Sequence, residues 1–275
     1  KALSLNPDAF IPDLEDSVNI EDKSTARKIV HDFLPLMHSA KIPVIPRINS
    51  IESGLFLDDL KAVIGPYISA ISIGKINSSD DIEFIESEIS NLETENQITP
   101  GHTKLIPWIE TSKAVLQAFE ICSSSTRIIS VAFGAEDFTE DMGIQRQDDE
   151  SEVEFARNFT CIAAKAANIT SLDSPYFKFK DSAGLSKNCS LAAKIGFTGK
   201  FAIHPSQIDQ INQIFSPSQQ LINEAKNVIA AAKNASKNSH GTTSINGKLI
   251  DAPVIKRAKN LLQRAEIITQ TKKNS

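Results

Sequence analysis

Cysteine is scarce in this chain. Cys122, Cys161 and Cys189 are the only three in 275 residues. They are odd in number and scattered, which argues against a disulfide frame and against a structural zinc site. They suit a reducing compartment and buried thiols. No apolar run approaches the ~20 residues of a helical membrane span. Positive charge is short as well: 29 Lys and Arg stand against 34 Asp and Glu, a net charge of -5. That balance argues against nucleic acid or an anionic membrane surface as the main partner. No glycine-rich phosphate loop follows any early strand, so a dinucleotide-binding sheet lacks its fingerprint. What remains is ordinary for a globular protein, with 41% hydrophobic and 23% charged residues. The length suits one α/β barrel of ~250 residues or two smaller domains.

Short apolar runs alternate with segments of helical periodicity. Strands are expected at 9–14, 43–48, 68–73, 105–110, 128–133, 169–172 and 201–203. Helices are expected between them, the first capped by Asp22 and the fourth running over 112–121. After His204-Pro205 the rhythm breaks into two successive helices. An Asn246-Gly247 hairpin turn and a last helix opened by Pro253 follow. Strict alternation implies a parallel sheet with helices outside. Seven strands fall one short of a (β/α)₈ barrel, and Lys1 to Leu5 reads as the tail of a helix. The expectation is therefore a TIM barrel over 1–215, its first strand lying before residue 1. A C-terminal helical and hairpin lid segment over 216–275 completes it. A doubly wound open sheet is the competing fold.

Two acids stand out. Leu105 to Ile109 is an apolar strand ending in Glu110. Ile128 to Phe133 is another, stopped by Gly134 and followed by Glu136 and Asp137. The interval from Glu110 to Asp137 is one βα unit of ~30 residues, so adjacent parallel strands would bring both carboxylates to one rim. Mg²⁺ binds through one or two carboxylates, keeps several waters and takes the rest from substrate oxygens. On spacing alone the alternative stays open that these are two unrelated loop acids.

Further segments carry a likeness to a known family. They are Asp13-Leu14-Glu15-Asp16-Ser17-Val18 with Lys23 and Ala26-Arg27, Arg47-Ile48-Asn49, and Pro107-Trp108-Ile109-Glu110-Thr111. Gly134-Ala135-Glu136-Asp137-Phe138, Gly196 to Lys200 with Ile203-His204-Pro205, Phe215 to Ser218, and Gly247 to Pro253 complete the set. In this order and with these gaps the chain resembles the citrate lyase β-subunit-like family, which includes malyl-CoA and citramalyl-CoA lyases. The resemblance covers nearly the whole chain. It implies a barrel, a Mg²⁺ cofactor held by Glu110 and Asp137, and a carbon-carbon lyase acting on CoA thioesters. It further implies that Arg47 contacts substrate and that Asp251 is the catalytic acid/base. Asp251 would reach the neighbouring subunit of a homotrimer, and Ala202 and Ile203 would meet the acyl-CoA. The expected partners are an acyl-CoA thioester and a 2-oxo acid. The expected compartment is the cytoplasm for a bacterial source and the mitochondrial matrix for a eukaryotic one.

The reaction expected from the resemblance is cleavage of (S)-citramalyl-CoA to acetyl-CoA and pyruvate. Malyl-CoA or β-methylmalyl-CoA cleavage, a malate-synthase-like reverse reaction and a non-catalytic acyl-CoA-binding relative are the alternatives. Each residue also has a plainer reading. Arg47 could pair with Glu15 or Asp16 across the rim. Glu15 and Asp16 could favour a helix dipole rather than order metal-bound waters around the site. Asp251 could be a simple cap, and Trp108 fits a core position better than a stacking platform. Lys75 could approach a CoA phosphate or sit in a rim ion pair.

Overall fold

Every position of Ala70–Ile73 (β2) and Ser130–Phe133 (β4) is buried, as expected of strands covered on both faces. The computed structural model describes residues 2–5, 7–237, 243–245 and 248–274. With Arg47–Ile48 (β1), Lys104–Ile109 (β3), Thr170–Asp173 (β5) and Gly199–Lys200 (β6), these strands form one six-stranded sheet. All neighbours are parallel and the order follows the chain, β1-β2-β3-β4-β5-β6. A doubly wound sheet reverses its strand order partway; this one does not.

The expected first strand, 9–14, is reduced to isolated bridges at Phe10↔Val44 and Asp13↔Arg47. Its hydrogen bonds nonetheless follow a parallel ladder. The Phe10 N–H donates to the Pro43 carbonyl and the Ile45 N–H to the Phe10 carbonyl. The Arg47 N–H then donates to the Pro12 carbonyl and the Leu14 N–H to the Arg47 carbonyl, each at 2.8 Å. Pro12, Pro43 and Pro46 supply no donor, which is why regular strand breaks up here.

The interior decides between barrel and open sheet. Ile45, Ala70, Ile106, Trp108 and Ala132 form one buried cluster, with Ala9, Ile11, Leu172 and Phe201 packed against it. Residues from the first and last strand segments thus meet on one core. A flat sheet of this width would hold them far apart, since neighbouring strands are ~4.8 Å apart. The sheet is curled into a barrel whose lumen is filled by side chains.

The helices lie between strands: Lys23–Ser39 (α1), Phe56–Val63 (α2), Ser79–Glu95 (α3), Ser112–Leu116 (α4), Ala118–Ser123 (α5), Ala135–Asp141 (α6), Glu154–Ala166 (α7) and Ser182–Ile195 (α8). Several local expectations are corrected. The chain start is a 3₁₀ turn, Ala2–Ser4. Asp22 makes no side-chain cap, because the 3₁₀ turn Ile20–Asp22 runs directly into α1. The helix expected over 112–121 is broken at Gln117, whose ψ of 10° leaves the helical region. The last strand falls at Gly199–Lys200 rather than 201–203. Its register, Leu172↔Gly199 and Asp173↔Lys200, is locked by charge. Asp173 Oδ2 accepts from Lys200 Nζ at 2.5 Å and Arg157 Nη2 at 2.7 Å, with Arg157 Nε on Oδ1 at 2.8 Å. All three side chains are sealed from solvent.

By contact clustering the chain divides into two compact units, Lys1–Ile211 and Asn212–Ser275, the division falling inside Pro205–Phe215 (α9). In the second unit Gln219–Lys237 (α10) packs on Ala252–Asn274 (α11), which runs well past Ala265. Thr243–Ile245 (β7) and Lys248–Ile250 (β8) pair antiparallel. The Asn246-Gly247 turn lies outside the described residues. No helix among the described residues is long and apolar enough to cross a membrane.

Candidate functional site

Glu110 is the first residue past β3 and is buried, 4% exposed. Its neighbours in space are two glycines at the ends of the flanking strands. A Cβ on Gly134, after β4, would lie 2.3 Å from Glu110 Oε2. A Cβ on Gly74, after β2, would lie 2.5 Å from Oε1. Neither glycine is in a left-handed conformation, so both are required by space alone. The carboxylate is oriented by the Lys75 N–H, which donates to Oε1 at 2.6 Å.

Asp137 enters from the first turn of α6, in which Glu136 and Asp137 favour the helix dipole. Lys75 Nζ stands 4.0 Å from Asp137 Oδ1. One residue therefore hydrogen-bonds one acid through its backbone and faces the other with its ammonium. Glu15 completes the group: its Oε1 is 3.2 Å from the same point beside Gly74. Burial, then the charges of Asp137 and Glu15, push the Glu110 carboxyl up to about 8. Burial is also the main cause for Glu15, pushed up to about 7. Asp137 is raised by burial and by Asp16. Three carboxyls that resist ionising together form a site short of positive charge.

Arg47 leaves β1 and reaches the same rim. Its Nε and Nη2 donate to the two oxygens of Asp13 at 2.8 and 2.6 Å, and Nη1 lies 3.1 Å from Asp16 and 3.2 Å from Glu15. The rim pairing foreseen with Glu15 and Asp16 is present, but the strongest partner is Asp13. Nothing in the sequence marks Asp13 as the partner of Arg47, because its side chain looks like one more strand-end residue. Below the guanidinium, 5.8 Å from its centre, lies the Trp108 ring. Trp108 is core, as expected, with Nε1 donating to Ser72 Oγ at 2.7 Å and a stack on Phe201 at 4.5 Å.

The loop holding Glu15 and Asp16 is fixed from beneath by buried Lys23. Its ammonium donates to the carbonyls of Leu14 and Glu15, both at 2.7 Å, and to Asn49 Oδ1 at 2.8 Å. Asn49 and Arg27 converge in turn on buried Asp59. Glu136 is not part of the cluster; it is exposed and pairs with Arg146 Nε at 3.0 Å. Ala202 and Ile203 sit on an exposed turn after β6. Gln207, itself buried, pins that turn by accepting from the Ile203 N–H at 2.9 Å. His204 stacks on Phe179 at 4.9 Å. Asp251 belongs to the second unit, where its Oδ1 caps α11 by accepting from the Val254 N–H at 3.1 Å.

Among the described residues, no three His, Cys, Asp or Glu side chains are grouped so as to hold a metal ion. A hard divalent cation needs only one or two carboxylates, with water or substrate oxygens completing its shell, and Glu110 and Asp137 are of the type that could supply those carboxylates.

A curled parallel sheet with this acid cluster at the carboxyl ends of its strands defines an α/β-barrel protein whose site lies on the upper rim. The chain belongs to the HpcH/HpaI aldolase/citrate lyase family, whose model matches residues 1–205. It is 35% identical over 260 residues to the citrate lyase subunit beta of Escherichia coli K12, covering 94% of this chain and 86% of that protein. It is 30% identical over 280 residues to the human mitochondrial citramalyl-CoA lyase, covering 98% and 82%. A citrate lyase from Burkholderia xenovorans shares the fold, with a TM-score of 0.85 at 21% identity over 94% of this chain and 83% of that one. The Mycobacterium tuberculosis citrate lyase beta subunit, solved with oxaloacetate and magnesium, aligns with a TM-score of 0.62 at 25% identity. That match covers 75% of this chain and 86% of the other.

Proposed function

We propose that this protein is a Mg²⁺-dependent carbon-carbon lyase that cleaves a 3-hydroxyacyl-CoA, with (S)-citramalyl-CoA giving acetyl-CoA and pyruvate as the preferred reaction. The observation that carries the reading is the shared hold of Lys75 on Glu110 and Asp137 at the barrel mouth. Named relatives that act on citrate or on citramalyl-CoA support it, as does a magnesium complex of a structural neighbour.

In the cleavage the C3 hydroxyl gives up its proton, the C2–C3 bond breaks, and its electron pair passes to C2. C3 becomes the carbonyl of pyruvate, and protonation of C2 completes acetyl-CoA. A divalent cation held by Glu110 and Asp137 would lower the hydroxyl pKa and fix the orientation of the acid half. Arg47, already held by Asp13, faces negative charge growing on an oxygen with little rearrangement. Glu15 and Asp16 would order water around such a cation. Asp251, carried by the second unit into the site of a neighbouring subunit, returns the proton to C2. Ala202 and Ile203 border the thioester arm. A homotrimer is the assembly this arrangement asks for, with 216–275 as the lid.

The test is turnover of citramalyl-CoA, malyl-CoA and methylmalyl-CoA with and without Mg²⁺. The expected result is Mg²⁺-dependent release of acetyl-CoA, fastest with citramalyl-CoA. Asp251→Asn should abolish turnover while Mg²⁺ still binds; persistent turnover would remove Asp251 from the chemistry. The higher identity to citrate lyase subunit beta favours a second reading, in which a citryl thioester is cleaved and oxaloacetate replaces pyruvate. The acid released distinguishes the two. One changed substituent is worth only ~1–3 kcal/mol in a pocket.

A further inference from the structure

Lys75 has no task in the chemistry above, yet its backbone is held in an unusual conformation. Its φ of +57° is left-handed, a conformation that costs a residue with a Cβ and persists where its surroundings enforce it. That conformation turns its N–H onto Glu110 Oε1 at 2.6 Å and sends its side chain toward Asp137. The ammonium rests 4.0 Å from Asp137 Oδ1, beyond hydrogen-bond length, with 43% of the side chain exposed. Its charge also acts on Glu15, Asp16 and Glu110. Arg47, by contrast, is committed to Asp13, Glu15 and Asp16 together.

An acidic mouth has a problem with an acidic substrate. The acids Asp13, Glu15, Asp16, Glu110 and Asp137 outnumber the cations Arg47 and Lys75 around the mouth, and Arg47 is already paired with three of them. We propose that Lys75 is a partner-switching ammonium. It faces Asp137, yields that oxygen to an entering divalent cation, and then receives the free carboxylate of the bound oxo or hydroxy acid. The proposal rests on reading Glu110 and Asp137 as cation ligands. Two cations cannot share one aspartate oxygen without strong repulsion. A loosely held ammonium on a flexible four-carbon stem is the group able to move. The backbone N–H stays on Glu110 throughout, so the switch leaves the other ligand in place.

The experiment compares Lys75→Met and Lys75→Arg with the wild type by calorimetry. It uses MgCl₂ alone, then pyruvate at saturating Mg²⁺, with kcat and KM measured alongside. Removing the resident charge should tighten Mg²⁺ binding in Lys75→Met by roughly fivefold. The same variant should bind pyruvate about tenfold more weakly. It should also raise the KM of the thioester more than it lowers kcat. Lys75→Arg should restore the pyruvate affinity in large part. Unchanged or weaker Mg²⁺ binding in Lys75→Met, or unchanged pyruvate affinity, overturns the switch. If the wild type binds Mg²⁺ and turns over while Lys75→Met is silent, only Lys75 loses its role. A wild type that binds no Mg²⁺ sinks the cation site and the switch together.

Discussion

Gly134 and Glu110 occupy one space between two strands: a methyl on Gly134 would lie 2.3 Å from Glu110 Oε2 and 2.6 Å from Glu110 Cβ. The second distance matters more, because a Cβ cannot swing aside as a carboxylate head can. Gly134→Ala should therefore displace Glu110 as a whole. The expected outcome is a chain that still folds, destabilised by about 1–3 kcal/mol. Its Mg²⁺ affinity and turnover should fall by roughly two orders of magnitude, as a 1 Å misplacement does. Denaturant titration and calorimetry read the two effects separately. Gly74→Ala meets only the head groups of Glu110 and Glu15. It should weaken Mg²⁺ binding with a smaller loss of stability.

The raised carboxyls fix the sign of a pH effect. Glu110 moves from 4.5 to about 8, chiefly by burial and next by Asp137, and Glu15 from 4.5 to about 7, again chiefly by burial. Between the unfolded and folded values the native state holds more protons than the unfolded one. Their stabilisation of the metal-free protein is thus present below the unfolded pKa and is lost as pH rises through the folded pKa. Unfolding free energy without metal should fall between 4.5 and about 8. Saturating Mg²⁺ should flatten that slope. Below about 8, metal binding at Glu110 should release protons, detected as a dependence of the calorimetric heat on buffer ionisation enthalpy.

Neutralising one acid should have opposite effects on binding and stability. Glu110→Gln keeps the shape and removes a buried charge that Asp137 and Glu15 oppose. At pH 8 the metal-free variant should melt at least ~2 °C above the wild type, the scale of about 1 kcal/mol in a chain this long. Its Mg²⁺ affinity should drop at least ~10-fold. A lower melting temperature would mean that the Lys75 hydrogen bond outweighs the repulsion.

Away from the mouth, Asp173 holds Arg157 and Lys200 where none of the three meets solvent. Asp173→Ala leaves buried Lys200 without its partner and Arg157 with Glu150 alone, 2.7 Å from Nη1. A loss of about 3–5 kcal/mol is expected, read by chemical denaturation. It should come with loosening of the β5–β6 edge, seen as faster amide exchange at Phe201, whose N–H donates to the Asp173 carbonyl.

The Glu110–Asp137 pairing was legible because both acids follow apolar runs and one βα unit separates them. Their glycine neighbours were not. Gly134 reads in sequence as a strand terminator, whereas its use is to leave room for a side chain on another strand. Arg47 was placed on the right rim, but its two-pronged partner Asp13 sits 34 residues away across a ladder that prolines disguise. The apolar stretch Phe201 to Ile203 points to a strand two residues later than the observed Gly199–Lys200. Buried charge at Asp173 and Lys200, rather than hydrophobicity, sets that register. Lys75 kept two readings open in sequence, since nothing local signals a left-handed lysine.

The Trp108–Phe201 stack has a consequence for traffic. With Ile45, Ile106 and Ala132 around it, it makes the barrel a blind well rather than a passage. Anything that reaches Glu110 must come and go through the same opening. When two fragments leave such a well, the deeper one waits for the one above it, so departure is sequential and the fragment nearer the entrance goes first.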